Sequence, residues 1–423
     1  MPKGTLAPKL SPGSFDLEEL IETELVETHF QPILSLQRKC VVGYEGLSRG
    51  LHPMDGSLIP PGFLFAEAEA KGLQLSLDRL CRKKALETFP RIPGGTSDLI
   101  LSVNLDASVM DQGAAGSGYL RRQVLEAGLN PRNIAIEIIE SNVGDLDELR
   151  KFVQTYRDYG FLIALDDVGA GHSNLNRIPL IKPDILKIDR YLIQGVQDDF
   201  YKQEVLKSLL SMARCLGTLI IAEGVETEAE GLALLSMGVD MVQGYFFARP
   251  APPQRVSRAN GLDQVERLGT AFKEKQIRKI DQKRFRMDNY RSMVSSLRTG
   301  LEKSPVDRFD LLLAQMASGF PEAEGIYVLD EEGFQVTDTI LTAPDAGRRN
   351  PVMFYPALKG SDHRLREYFY FLVETDLGKG QFVTTPYLST ASGKVCVTLS
   401  TIFHGTDQKK YVLCVDVATA GLL

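Results

Sequence analysis

No stretch of this chain approaches the roughly eighteen uninterrupted apolar residues of a membrane-spanning helix. The opening segment, MPKGTLAPKLSPGSFD, also lacks the apolar core of a secretory signal. Both absences predict a cytoplasmic protein. Cysteine is sparse. Cys40, Cys81, Cys215, Cys396 and Cys414 are odd in number, scattered through mostly apolar runs and free of any CxxC spacing. That excludes a disulfide framework and the usual zinc ribbons, and leaves reduced, buried thiols. Excess positive charge is missing as well. A net charge of −7 argues against a polyanion binder as a whole, although nine basic residues face three acids between Lys273 and Arg298. No base-reading motif accompanies that stretch, so we read it as a solvated helix face and do not expect a nucleic-acid partner.

What the chain does have is acids at the ends of apolar runs. Glu45 sits in VVGYEGL, Glu137 and Glu140 in IAIEIIES, Asp166 and Asp167 in LIALDDVG, and Glu223 in LIIAEGV. A run such as Leu162-Ile163-Ala164-Leu165 reads as a parallel strand buried on both faces. An acid closing such a strand is costly to bury unpaired. Several of them together call for something positive, and a divalent metal neutralises clustered carboxylates well.

Up to about residue 250, strand-like runs alternate with amphipathic segments such as LDELRKFVQTYRDYG and KQEVLKSLLSMARCLG, the pattern of α/β folds. Eight strands are expected: His29 to Ser35, Val41 to Leu47, Leu99 to Leu105, Ile134 to Ile139, Leu162 to Val168, Ile185 to Ile188, Leu219 to Ala222 and Met241 to Phe247. Eight strands in that length point to a (β/α)8 TIM-like barrel, with an open doubly wound sheet as the alternative. The link around Leu36-Gln37-Arg38-Lys39-Cys40 is too short for a parallel crossover, so the first two strands should be antiparallel and the barrel a modified one. From about Ala251 the text becomes charged, with Val265, Leu268, Phe272, Ile280, Met287, Tyr290, Val294 and Leu297 at near-helical spacing. One or two connecting helices are expected there. After about residue 305, a helical LLLAQMASGF is followed by GIYVLDEEGFQVT, with a turn at Glu331-Glu332-Gly333, and by three alternating runs. These predict an antiparallel α+β domain. The expected organisation is an N-terminal tail (1–17), a barrel (18–252), a helical linker (253–304) and a C-terminal domain (305–423).

The barrel segment resembles the EAL domain family, bacterial phosphodiesterases that hydrolyse cyclic di-GMP. Glu45-Gly46-Leu47 stands where the family has its name-giving Glu-Ala-Leu, followed by Ser48-Arg49. Further matches are Phe30-Gln31-Pro32-Ile33, Ser102-Val103-Asn104-Leu105, Glu137 to Glu140, Asp166-Asp167-Val168-Gly169, Leu186-Lys187-Ile188-Asp189, Ala222-Glu223-Gly224-Val225-Glu226-Thr227 and Gln243-Gly244-Tyr245. The resemblance implies hydrolysis of cyclic di-GMP to linear pGpG at a two-metal Mg²⁺ or Mn²⁺ site. Its oxygen ligands would be Glu45, Asn104, Glu137, Asp166, Asp167 and Glu223. It further implies catalytic roles for Glu223, Lys187 and Glu45, and phosphate binding by Arg49. Leu47, Gln31, Gln243 and Pro250 would make substrate contacts, with Glu140 and Glu226 in support. The loop after the aspartate pair departs from the common pattern. Val168, Ala170, His172 and Asn174 replace phenylalanine, threonine, tyrosine and serine, which bears on turnover rate and on the homodimer this loop helps form. A protein that binds the cyclic dinucleotide but turns it over weakly or not at all is the alternative function. The C-terminal domain resembles PAS-like or Cache-like sensors. Arg364 to Tyr370, Tyr387 and Asp416 are candidates to bracket a small ligand, or to form only a surface ion pair over core aromatics. Its ligand or protein partner is not identified by sequence.

Overall fold

The computed structural model describes residues 15–105, 118–138, 146–170, 174–342, 355–366, 369, 380–389, 391 and 393–418. The chain divides into two compact units, with the division falling between Lys275 and Gln276. Among the described residues, nine strands belong to the first unit: β1 (Val26–Ser35), β2 (Cys40–Leu51), β3 (Leu58–Ile59), β4 (Ile100–Leu105), β5 (Ile134–Ile138), β6 (Leu162–Val168), β7 (Ile185–Ile188), β8 (Leu219–Ala222) and β9 (Met241–Val242). Eight of them close into a barrel in the order β1-β9-β8-β7-β6-β5-β4-β2, and β1 pairs back onto β2. Strand β1 runs antiparallel to both neighbours, whereas the other barrel pairings are parallel. The modified TIM-like barrel with an antiparallel first strand is therefore the observed fold, and the open sheet is excluded by closure.

The unbroken apolar runs arise because each strand is covered on both sides. Outward residues such as Ile136, Ile163, Leu186 and Ile220 pack beneath the surrounding helices. Inward residues form a separate plug of Ile33, Ala135, Ala164, Ile185, Ile221 and Met241. Side chains alternate along a strand, so the next inward position lies two residues on. There the parallel strands change character together, to Glu137, Asp166, Lys187, Glu223 and Gln243. On the antiparallel β1 the equivalent step runs backward from Ile33 to Gln31. A dry floor thus carries a polar layer at the C-terminal mouth, where barrel active sites form.

The last barrel strand is shorter than the sequence pattern implies, ending at Val242 and not at Phe247. Beyond it the chain docks on the segment after β8. Val225 donates to Gln243 O and its carbonyl accepts from Phe246. A Cβ at Gly244 would lie 2.1 Å from Val225 O, so only glycine permits this approach.

Where one or two connecting helices were expected, one continuous helix runs over Leu262–Glu302. Its start contributes Val265 and Leu268 to the barrel's outer core, and its end contributes Tyr290, Met293, Val294, Leu297 and Leu301 to the core of the second unit. That unit also contains the helix Phe309–Ala317 and strands β10 (Ala323–Asp330), β11 (Gln381–Val383), β12 (Tyr387–Leu388), β13 (Val395–His404) and β14 (Lys410–Ala418). The sheet is antiparallel, ordered β10-β14-β13-β11 with β12 on β13. Val397, Leu399, Leu413, Val415 and Val417 face the helices. Among the described residues no helix is long and apolar enough to cross a membrane.

Candidate active site

The polar layer closes around one ammonium. Lys187 Nζ lies 2.7 Å from Glu137 Oε1 and 2.7 Å from Glu223 Oε1, and 3.5 Å from both Glu45 Oε1 and Asp166 Oδ1. Lys187 and Glu137 are 1% and 0% exposed, so water contributes almost nothing to their solvation. Four carboxylates against one ammonium leave three excess negative charges if all are ionised. The proton affinities reflect that imbalance. Burial pushes Glu137 well above the usual carboxylate range; Lys187 opposes the shift, and Glu45, Asp166 and Glu223 add to it. Burial also raises Glu223, to about 8. For Glu45, burial is outweighed by Lys187 and by hydrogen bonding with Gln243, Glu137 and Asn104, leaving it net lowered. Burial alone would lower Lys187, but Asp166, Glu137, Glu223 and Glu45 hold it well above its ordinary value.

Glu45 is further fixed from the side. Gln243 Nε2 donates to Glu45 Oε2 at 2.6 Å and to Gln31 Oε1 at 3.1 Å, while Gln31 Nε2 donates to Ala248 O. Asn104 Nδ2 reaches Glu45 Oε1 at 3.5 Å. The two glutamines therefore anchor Glu45 across the antiparallel strand. Asp166 Oδ1 accepts the amide of Asp167, and the β6–β7 register shifts between Leu165 and Val168. This bulge turns Asp167 to a φ of +56° and leaves its side chain half-buried, beside the acid cluster and outside contact with Lys187. Burial, Asp166 and Asp189 raise its proton affinity.

A cavity of about 730 Å³ opens beside the cluster, lined by Leu47, Arg49, Asp78, Arg82 and Asn104, among others. Arg49 is half-buried there, with Nη1 donating to Ser48 O. Asp78 and Arg82 form a buried ion pair on the helix Gln74–Thr88. Sequence reasoning missed both, because an i, i+4 charge pair ordinarily reads as a solvated helix face. Pro250 is half-buried, next to Ala251, which pairs with Phe30 on β1. Glu226 is exposed, and its amide donates to Glu230. Glu140 and His172 lie outside the described residues.

Glu230 was not anticipated. Buried, it accepts the amides of Glu226 and Thr227 through Oε2 and that of Gly195 through Oε1, tying the segment after β8 to the segment after β7. The Thr227-x-x-Glu230 capping box was the available signal. Glu230→Ala strands these amides and should cost roughly 1–3 kcal/mol in urea unfolding, without removing any acid of the cluster.

The cluster fits a divalent cation. All its donors are oxygens or an amide, suiting Mg²⁺ or Mn²⁺ over soft metals. Both oxygens of Glu137 and Oε1 of Glu223 are buried, and Oε1 of each faces Lys187 Nζ at 2.7 Å with no neutral donor beside it among the described residues. Among the described residues no three acidic, histidine or cysteine side chains stand as a ready-made ion cage; the oxygens point at Lys187 Nζ. The same imbalance sets a pH dependence. Glu223 binds its proton more tightly folded (about 8) than in its ordinary state (4.5), so its stabilising effect is full below 4.5 and is lost as pH rises to about 8. The metal-free protein should melt progressively lower across that window, and Glu223→Gln should flatten the profile in calorimetric scans.

The EAL domain family model matches residues 15–250, more than half the chain, and the chain belongs to that family. It is 29% identical over 331 residues to YkuI of Bacillus subtilis, an uncharacterized EAL-domain containing protein, spanning 77% of this chain and 79% of YkuI. Over 248 residues it is 31% identical to MucR of Pseudomonas aeruginosa, a bifunctional diguanylate cyclase/cyclic di-GMP phosphodiesterase, covering 57% of this chain but only 35% of MucR. The fold of YkuI, solved with cyclic di-GMP and calcium, matches 96% of this chain and all of that one at a TM-score of 0.78 and 24% identity. The MucR phosphodiesterase in complex with cyclic di-GMP matches 56% of this chain and 96% of its own at a TM-score of 0.51 and 30% identity. BlrP1 of Klebsiella pneumoniae, solved with manganese and cyclic di-GMP, matches 59% of this chain and 60% of its own at a TM-score of 0.50 and 29% identity.

Proposed function

We propose that this chain hydrolyses cyclic di-GMP to linear pGpG, using Mg²⁺ or Mn²⁺, and that its C-terminal domain regulates the reaction. The observation that carries this reading is the excess of buried carboxylate around Lys187 at the mouth of an EAL barrel. Glu45, Asn104, Glu137, Asp166, Asp167 and Glu223 would hold the metal, which when bound would supply charge neutralisation at the phosphate and a more acidic water. Arg49 presents a planar fork to a substrate phosphate from the wall of the adjoining cavity, with Leu47 forming apolar wall. Gln31 and Gln243 keep Glu45 aimed into the site, and Pro250 borders the same end of β1. Lys187 orients the attacking water and steadies charge developing on the phosphoryl oxygens. Glu223, whose proton affinity burial raises to about 8, is the group suited to take the water's proton. Attack at phosphorus breaks its bond to one ribose 3′ oxygen, which leaves with a proton, and the ring opens to the linear dinucleotide. The reading includes a cytoplasmic homodimer, with Glu226 and Glu140 in the segments that support the site.

The test is to incubate the protein with cyclic di-GMP and Mg²⁺ or Mn²⁺, with a chelator control, and to separate the products by chromatography. Metal-dependent pGpG supports the enzyme. Tight binding with the cyclic ligand intact would instead make the chain a receptor.

A further inference from the structure

The second unit carries a polar streak where packing alone would place apolar residues. On β13 and β14, Val397, Leu399, Val415 and Val417 face the helices, and the alternate residues face the other way. On that opposite face, Thr398, Ser400 and Asp416 are at most 5% exposed, beside the apolar Tyr327, Val412 and Cys414. They do not merely fill a second core. Asp416 lies at the wall of a cavity of about 450 Å³, which is also lined by Tyr327, Phe382, Tyr387, Ser389 and Arg366. That volume is in the range that encloses a small organic molecule, and is far larger than an ion needs.

The polar groups are arranged around the acid. Thr398 Oγ1 donates to Asp416 Oδ1 at 2.7 Å, and Tyr387 Oη lies 2.7 Å from the same Thr398 oxygen. A threonine hydroxyl has one proton to give, so Thr398 passes its own to Asp416 and accepts from Tyr387. Asp416 is thus held by neutral hydroxyls, and among the described residues it has no ion-pair partner. Arg366, exposed at the rim, acts on it only through space, while burial raises its proton affinity to about 6. A nearly buried carboxylate without a cation is unfavourable for the fold. Such a sacrifice is typical of positions kept for a ligand.

We infer that this cavity binds a small organic ammonium, its –NH3⁺ seated on Asp416 and its apolar body against Tyr327 and Phe382. The ammonium supplies a counter-charge that the described residues do not, and donors for the carboxylate lone pairs that the hydroxyls leave over. The aromatic walls take a hydrocarbon body, and aromatic faces also favour a nearby cation. A metal ion is a poorer occupant, since one carboxylate and a few hydroxyls would leave most of its coordination to water. Arg366 at the rim accommodates a carboxylate on the same ligand, so plain amines and amino acids share the chemistry. The inference concerns binding by this unit and stands whether or not the barrel hydrolyses cyclic di-GMP.

Calorimetric titration of the full chain tests it, using the twenty standard amino acids, phenethylamine and putrescine, with phenethyl alcohol and 1,4-butanediol as counterparts lacking the amine. At least one ammonium compound is expected to bind saturably, and its counterpart at least tenfold more weakly. Asp416→Asn preserves the shape and should reduce affinity roughly ten- to hundredfold. Its ligand-free form should melt no lower than wild type, because an uncompensated charge has been removed. Phe382→Ala, which leaves Asp416 in place, should also weaken binding. Stronger binding by amino acids than by amines assigns a role to Arg366, and the reverse leaves Asp416 as the sole charged contact; both support the site. Absence of saturable binding across the panel overturns it. Equal binding of the amine-free counterparts, undiminished affinity in Asp416→Asn, or an Asp416→Asn protein that melts several degrees lower would overturn it equally.

Discussion

Glu137→Gln is expected to reduce hydrolysis of cyclic di-GMP by roughly 10³-fold or more, the scale set by losing a group that organises charge at the reacting centre. The substitution keeps the shape of the side chain and removes only its ability to carry charge. Glu137 is 0% exposed and 2.7 Å from Lys187. Burial holds its proton well above the ordinary carboxylate range, helped by Glu45, Asp166 and Glu223 and opposed by Lys187. Its charged form is therefore a burden on the metal-free fold, increasingly so as pH rises above the usual carboxylate value. The variant should accordingly melt at or above the wild-type temperature at pH 8 while losing turnover. Assays with Mn²⁺ and melting curves without it separate the two effects. Unchanged turnover would reject the assigned site; lost turnover with a large fall in melting temperature would make Glu137 a structural residue.

Lys187→Met should act in the opposite direction on the fold. It removes the one ammonium that Glu45, Glu137, Asp166 and Glu223 share. Removing one partner from a buried ionic cluster typically costs about 3–5 kcal/mol, because the remaining charges are left without compensation. The loss should be larger at pH 8 than at pH 5, since protonation relieves the acids at low pH. Urea unfolding at the two pH values measures this difference. Turnover should fall as well, and added Mn²⁺ should restore more stability to the variant than it adds to wild type. If both pH values show the same small cost, Lys187 is not the electrostatic centre of the layer.

These two expectations rest on a part of the molecule that the sequence pattern revealed unevenly. The barrel strands were legible because parallel strands covered on both sides leave unbroken apolar runs, as in Leu162 to Leu165, and because acids interrupt those runs at one end. The antiparallel first pair followed from loop length alone. Closure did not, since strand count is the same in an open sheet; it required the β1–β2 and β1–β9 pairings. The end of β9 was hidden for a different reason. Gly244-Tyr245-Phe246-Phe247 has strand-like composition, but the backbone contact between Gly244 and Val225 overrides it.

Within the site, the residues on strands and their expected roles came from the family resemblance, whereas the contacts among them did not. Lys187 carried an expected catalytic role from the resemblance, but its position between four acids needed the structure. The bulge that separates Asp166 from Asp167 depends on register with β7. Asp78 and Arg82 lie on a helix whose polar residues usually face water, so only its packing shows that this pair turns inward, whereas Glu230 had a signal in its capping box with Thr227. In the second unit, the alternation of β14 was clear and Tyr387 and Asp416 were already candidates to bracket a small ligand, but Thr398, whose hydroxyl joins the two, was not among them.

The acid layer around Lys187 is expected to direct water onto a phosphodiester. The most direct measurement is to incubate the protein with cyclic di-GMP and Mn²⁺ in ¹⁸O-labelled water and to analyse the nucleotide by mass spectrometry. Our account predicts linear pGpG with one ¹⁸O in its terminal phosphate, formed by wild type and not by Glu137→Gln. Recovery of intact, unlabelled cyclic di-GMP from protein that binds it would contradict that account.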